Sequence, residues 1–361
     1  MNSPQRQPLE HAHGTKNDPV VSVVIPAYNA ASYIVATLNS VWAQTFTDYE
    51  VFVVNDGSPD TPALEQALQP FRAKIRYIKQ ENRGPSSARN AAIRQARGKY
   101  VAFLDSDDLW LPQHLTRQVE TLEKNPAIGL VYANALHIEG NTPTGVAFES
   151  TPQSLPVTLE ALLRERSTVN TSSAVASRQA IVDAGLFDEG MNRCEDYDLW
   201  LRIARNGVGI TFTREVLTCH RLGNGLARNR ELMKRARIRV YQKTLSAGPL
   251  TAAQSSIIRN KIEEIERDLQ LEFSKQSLLA GKFDQALRAA REANAAAPNW
   301  RLRAALLGLR FVPGLTQKLY RAHLGRTERR KQARRARSLK ALGFAGKRID
   351  IDVMCERRSS T

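Results

Sequence analysis

The 361-residue chain contains only three cysteines, Cys194, Cys219 and Cys355. They are widely spaced, show no zinc-ligand spacing and cannot all pair with one another. A disulfide scaffold is excluded, and a reducing cytoplasm is the simplest setting. Long apolar runs are missing too: nothing approaches the roughly 18 uninterrupted apolar residues of a membrane span. Residues 1–19, with Pro4, Pro8, His11, His13 and Gly14, lack the apolar centre of a signal peptide and read as a disordered leader. There is no glycine-rich phosphate loop, because Gly84 stands alone. Apolar residues make up an ordinary 42% of the chain, enough to bury a large core.

Positive charge is not lacking, but it is unevenly placed. Residues 1–225 carry 21 Lys/Arg against 24 Asp/Glu, a net of −3, whereas residues 226–361 carry 31 against 12, a net of +19. The expected organisation is therefore a leader over 1–19, an α/β domain over 20–225 and a helical basic region over 226–361.

Within the α/β part, strands alternate with helices. Val20–Ile25 is a β-branched run stopped by Pro26, and Ala30–Gln44 carries Ile34, Leu38, Val41 and Trp42 at helical spacing. Tyr49–Val54 is a second strand ended by Asn55-Asp56-Gly57-Ser58, a turn signal. A helix over Thr61–Phe71, a strand over Ile75–Ile78 and a helix over Pro85–Ala96 follow, the last closed by Gly98 as a C-cap. The apolar run Tyr100–Leu104 then delivers Asp105-Ser106-Asp107-Asp108 at its tip. Ile128–Tyr132 is a fifth strand, residues 139–156 read as a loop or hairpin, and a helix starts near Glu195-Asp196-Tyr197-Asp198. The alternation implies a doubly wound, mostly parallel sheet with helices on both faces, whose ligands sit beyond the carboxyl ends of the strands. Carboxylates as close as Asp105, Asp107 and Asp108 repel one another unless a cation sits between them. Their hard oxygens favour Mg²⁺ or Mn²⁺, which usually bind alongside substrate phosphates.

Five segments, in order, resemble family 2 glycosyltransferases, which have the GT-A fold. They are Val21–Asn29, Asn55–Ser58, Gly84–Asn90, Asp105–Asp108 and Glu195–Arg202, with Gly185-Leu186-Phe187-Asp188 fitting ahead of the last. The resemblance covers about residues 20–225 and not the basic region. It implies a donor site that includes Pro26, Tyr28, Asp56, Arg89 and Asp105, a divalent ion held by Asp107 and Asp105, and Asp196 as general base. It further implies an inverting transfer from a nucleoside diphosphate sugar to a glycan or lipid-linked acceptor, in cell-surface polysaccharide or glycolipid synthesis. The residue chemistry is compatible. Asp56 can accept from the ring N–H of uracil, thymine or guanine, which suits a UDP-, dTDP- or GDP-sugar, while the alternative for Asp56 is a simple Asp-Gly turn. Tyr28 can stack on a base. Arg89 can meet a pyrophosphate or lie solvated on a helix. Asp196, near a helix start, is kept ionised and ready to accept a proton. The segment Cys219-His220-Arg221 matches the family loosely, and His220 is left outside the expected metal site.

The C-terminal region is helical. Lys282–Ala297 resembles one helix of a tetratricopeptide hairpin paired with the helix before it, a single unit rather than an array. Arg326–Lys340 is strongly basic and suits anionic lipid headgroups, with Leu302–Phe311, Leu315, Leu319 and Tyr320 as an apolar face. No aromatic residues are interleaved as in a single-strand binder, so no specific nucleic acid is expected. A peripheral position on the inner face of the cell membrane follows from these features. The competing readings are a catalytically inactive glycosyltransferase-like adaptor at the membrane and a nucleotidyltransferase; the intact acidic motifs oppose the first, and the missing phosphate loop opposes the second.

Overall fold

A computed structural model describes residues 18–140, 142–151, 153–222, 229–296 and 299–341. Most of the expected leader, the Gly223–Gly225 stretch at the charge boundary, Cys355 and the chain after Ala341 lie outside the described residues. Among the described residues nine strands form one sheet: β1 (Val21–Ala27), β2 (Tyr49–Asp56), β3 (Arg76–Gln80), β4 (Tyr100–Phe103), β5 (Leu109–Trp110), β6 (Ile128–Glu139), β7 (Thr142–Val146), β8 (Ala174–Ser177) and β9 (Gly209–Arg221). Their order is β3-β2-β1-β4-β8-β6-β9-β5, with β7 paired to β6.

The sheet is parallel from β3 to β4, as the alternation predicts. Beyond β4 it is mixed: β8 runs antiparallel to β4 and β6, β7 to β6 and β5 to β9, while β6 and β9 are parallel. The mixed half is what strand–helix alternation does not foresee, since β8 is only four residues long and follows a polar segment. Within residues 139–156, expected as a loop or hairpin, β7 pairs with the end of β6.

Both sheet faces are covered, which is why the parallel strands are almost wholly apolar. One face packs Val24, Phe52, Val54, Val101 and Phe103 against Leu199, Trp200, Phe187 and Ile181. The other packs Val23, Ile25, Val51 and Val53 against Ile34, Leu38, Leu64 and Leu115. Gly98 does not cap a helix. The helix Gly84–Ile93 ends on Arg94, and Gly98 instead passes so close to β1 that a Cβ there would stand 2.5 Å from the Ser22 backbone nitrogen.

The core does not stop at the charge boundary. Ala236, Val240 and Tyr241 of the helix Arg230–Ser246, and Ile257, Ile258 and Ile265 of the helix Ala252–Leu279, join the first face. Lys243 pairs with Asp188 at 2.6 Å and Asp198 at 2.9 Å, and Arg237 with Glu165 at 2.6 Å. The helix Ala252–Leu279 turns at Gly281, which has φ +76°, and packs on Phe283–Ala296 through Leu278, Ala286 and Ala290. Two further helices, Trp300–Phe311 and Pro313–Ala341, complete the described chain. No helix among the described residues is long and apolar enough to cross a membrane.

His114 is fully buried, stacked on Trp110 at 4.4 Å between ring centroids, and burial lowers its pKa from 6.5 to about 3. Below pH 6.5 the unfolded chain takes up a proton at this side chain that the folded chain refuses. Its contribution to stability is therefore complete above pH 6.5 and is lost as pH falls toward 3. Denaturant unfolding of His114→Gln across that window should show a pH slope shallower by up to about one proton; an unchanged slope contradicts the assignment.

Candidate active site

The site lies at the carboxyl ends of β1, β2 and β4. Pairing of β1 with β4 ends at Val24–Phe103, ahead of Pro26, which has no N–H to offer; the two chains separate there. Tyr28 follows, 54% exposed at the edge of the sheet. Asn29, at φ 53°, donates its backbone N–H to Ser58 Oγ at 2.6 Å, and the Ala31 N–H donates to Asp60 Oδ2 at 2.8 Å. The first two loops are thereby tied into one wall.

Asp56 is buried at the end of β2. Its carboxylate accepts from Gln80 Nε2 at 2.8 Å and from the backbone N–H groups of Arg83 at 2.9 Å and Gly84 at 2.8 Å. Those amides open the helix Gly84–Ile93, a position that favours an anion. Asp56 thus does more than form a turn: it anchors the third loop. Gly57 next to it has φ +62°, and a Cβ would meet the Asn82 backbone nitrogen at 2.4 Å, so no other residue fits.

The aspartates after β4 have different surroundings. Asp108 is fully buried and accepts from His220 Nδ1 at 2.9 Å and the Arg221 N–H at 2.8 Å, which pins β9 to the acidic loop. Thr37 Oγ1 donates to the carbonyls of Ser106 and Asp108 at 2.8 and 2.9 Å, fixing the loop from below. Asp105 is about one-third exposed, and its N–H donates to Ser172 Oγ at 3.2 Å. Asp107 forms no salt bridge among the described residues.

Arg89 joins this loop to the downstream acidic motif. It is neither solvated nor on the surface. Its guanidinium is 5% exposed and donates to Asp105 Oδ1 at 2.7 Å and Glu195 Oε1 at 2.8 Å, with its carbon 5.3 Å from the Phe187 ring centroid. Burial opposes its charge, but Asp105 and Glu195 outweigh burial and hold it protonated. Asp196, the neighbour of Glu195, lies in the first turn of the helix Glu195–Arg205. It accepts from Thr171 Oγ1 at 2.6 Å and from the Tyr197 N–H at 2.7 Å.

The electrostatics suit a cation. Burial, with Asp108 and Asp105 close by, raises the Asp107 carboxyl to about 7. Burial works against a charged His220, but Asp108 and then Asp105 and Asp107 raise it to about 9. Among the described residues no three His, Cys, Asp or Glu side chains form a ready cage for an ion. Mg²⁺ and Mn²⁺ do not require one, because one or two carboxylates usually hold them beside substrate phosphates. The donor set of Asp105 and Asp107 therefore fits such an ion.

The sequence profile described as Glycosyl transferase family 2 matches residues 22–183. An uncharacterized glycosyltransferase of Methanocaldococcus jannaschii is 32% identical over 216 residues, covering 58% of this chain and 73% of that protein. This chain belongs to glycosyltransferase family 2. It spans about a third of the length of the relatives it matches in Rickettsia bellii, Rickettsia conorii and Rickettsia felis. Among solved structures, residues 1–349 of S. aureus TarS in complex with UDP-GlcNAc align with a TM-score of 0.57 at 21% identity, covering 84% of this chain and 92% of that one. The mannosyltransferase PcManGT of Pyrobaculum calidifontis, in complex with GDP-Man and Mn²⁺, aligns with a TM-score of 0.54 at 21% identity, covering 91% and 88%. At that identity the likeness speaks for the fold alone, the α/β GT-A arrangement expected from the motifs.

In this family 2 chain, Thr171 and Ser172 were not singled out from the sequence, although they hold Asp196 and the Asp105 backbone. The polar run Asn170-Thr171-Ser172-Ser173 was the available signal, and its value depends on β8 following it. Removing Arg89 would strand Glu195 and Asp105. Arg89→Met should destabilise the fold by about 2–3 kcal/mol, the low end for a broken buried pair because Asp105 is partly exposed. Thermal unfolding checks this, and an unchanged midpoint would show that the pair contributes nothing.

Proposed function

We propose that this chain is an inverting, metal-dependent glycosyltransferase that moves a sugar from a nucleoside diphosphate donor to an acceptor hydroxyl. The observation that carries the reading is the Arg89 bridge, which places Asp105 at one end and Glu195, the neighbour of Asp196, at the other. In this reading a donor-side acid and an acceptor-side base sit on two separate segments that one buried guanidinium links. In this reading Tyr28 offers a ring to the donor base, Pro26 shapes the wall beneath it, and Asp56 supports the loop and contacts the base. Arg89 acts as a positioning residue between the two acidic motifs. Asp107, with Asp105, would hold Mg²⁺ or Mn²⁺. Such an ion, when bound, supplies Lewis-acid stabilisation of the charge on the departing diphosphate.

The acceptor O–H loses its proton to the Asp196 carboxylate as its oxygen forms the new bond to the anomeric carbon. The bond from that carbon to the diphosphate oxygen breaks on the opposite face, and its electron pair leaves with the nucleoside diphosphate. Thr171 Oγ1 and the Tyr197 N–H hold the carboxylate in place for this transfer. The similar proteins bound to UDP-GlcNAc and to GDP-Man with Mn²⁺ support a UDP- or GDP-sugar donor.

The product belongs to cell-surface polysaccharide or glycolipid, made on the cytoplasmic face by a peripherally bound enzyme. In support, Trp300 (74% exposed), Leu307 and Phe311 project from one face of the helix Trp300–Phe311, among Arg301, Arg303 and Arg310. Apolar and cationic groups side by side suit an anionic bilayer surface.

Asp196→Asn should lower the transfer rate by about 10²–10⁴-fold, the range of a general base, while retaining donor binding; single-turnover transfer with a thermal-shift measurement of UDP and Mn²⁺ binding tests it, and unchanged turnover removes Asp196. In flotation with anionic vesicles the full chain should rise and a variant truncated before Trp300 should not. If both stay at the bottom, the membrane reading is wrong.

A further inference from the structure

Asp56 contacts the donor base in the glycosyltransferase reading, and the acceptors left on its carboxylate can be counted. An ionised carboxylate has about four lone-pair sites, shared between its two oxygens. Asp56 Oδ1 accepts from Gln80 Nε2 at 2.8 Å and from the Arg83 N–H at 2.9 Å, so both of its sites are taken. Oδ2 accepts from the Gly84 N–H at 2.8 Å and, among the described residues, from no other group. A single open site remains, on Oδ2. The two amides, one on each oxygen, also stop the carboxylate from rotating to present Oδ1 instead.

Gln80 is the member of this set that depends on a side chain. It stands opposite Asp56 in the parallel register of β2 and β3, so the two side chains leave the same face of the sheet side by side. Against a carboxylate its amide must turn the NH2 group inward, because its own oxygen would meet another acceptor. Nε2 also lies 3.3 Å from Ser87 Oγ on the helix Gly84–Ile93, which accepts its second N–H. An apolar residue at position 80 would leave Oδ1 with an open site.

The bases differ in what they present to such a carboxylate. Uracil and thymine offer one ring N–H between two carbonyls and need one acceptor. Guanine offers its ring N–H and the adjacent amino group together, and needs both oxygens. Placed here, guanine would turn a desolvated amino N–H toward an oxygen already filled, which is costly.

We propose that Gln80 is a specificity-determining residue: by filling Asp56 Oδ1 it leaves one acceptor for the donor base and selects uracil or thymine over guanine. The proposal rests on the glycosyltransferase reading above and deepens its donor side. Gln80 acts through Asp56 and needs no contact with the nucleotide.

The test is calorimetric titration of the full chain, in the presence of Mn²⁺, with UDP, dTDP, GDP and IDP. Inosine diphosphate is guanosine diphosphate without the amino group, so comparing the two purines removes the effect of base size. The better of UDP and dTDP should bind at least about tenfold more tightly than GDP, the scale of one unsatisfied donor, and it names the base. IDP should bind at least as tightly as GDP. Gln80→Met keeps the side-chain length and removes the donor, and it should raise the affinity for GDP relative to IDP by at least about threefold. A merely structural role for Gln80 would change both purines alike and leave that ratio unmoved. The melting temperature verifies that the variant folds, and the comparisons in the unmodified chain stand without it. GDP binding as tightly as UDP and dTDP, GDP exceeding IDP in the unmodified chain, or an unchanged ratio in folded Gln80→Met overturns the inference. Binding of none of the four would instead overturn the underlying glycosyltransferase reading.

Discussion

The arrangement depends on one buried cation. Arg89 reaches Asp105 after β4 and Glu195 at the start of the helix Glu195–Arg205, segments about ninety residues apart in sequence. A guanidinium this deep is tolerable only when its charge is paired, and its two terminal nitrogens meet two carboxylates at once, while Nε has no hydrogen-bond partner among the described residues. The reverse also holds: burial pushes the Glu195 carboxyl up, with Arg89 acting against that shift. Each group justifies the burial of the other, and the two acidic motifs are held at a set separation.

Around that bridge the loops are fastened by small polar groups. Asp56 ties the second loop to the third, Ser58 and Asp60 tie the first to the second, and Asp108 ties β9 to the acidic loop. Thr171 and Ser172 carry the link across to Asp196 and Asp105. Lys243, from the helix beyond the charge boundary, clamps Asp188 and Asp198 below the helix Glu195–Arg205. The basic region is therefore structurally continuous with the motif-bearing half at its first two helices.

Much of this was legible in the sequence. The strands before Asp56 and Asp105 stood out because their apolar runs end abruptly in acids, and the helix carrying Arg89 followed a Gly-Pro start. The parallel half of the sheet followed from alternation. What remained hidden had a physical reason. The strand β8 is too short to show a period, Gly98 is needed for close approach to Ser22 rather than for a cap, and the burial of Arg89 depends on partners far along the chain.

The sequence alone therefore determined the fold class, the family and the acidic residues at strand ends, because local pattern and turn chemistry encode those directly. Tertiary structure decided which acids are paired and which stand against their neighbours. Asp108 is committed to His220 and the Arg221 backbone, Asp105 gives one carboxylate oxygen to Arg89, and Asp107 is left facing like charges. Distances between segments remote in the chain set those differences, and no local spacing contains them.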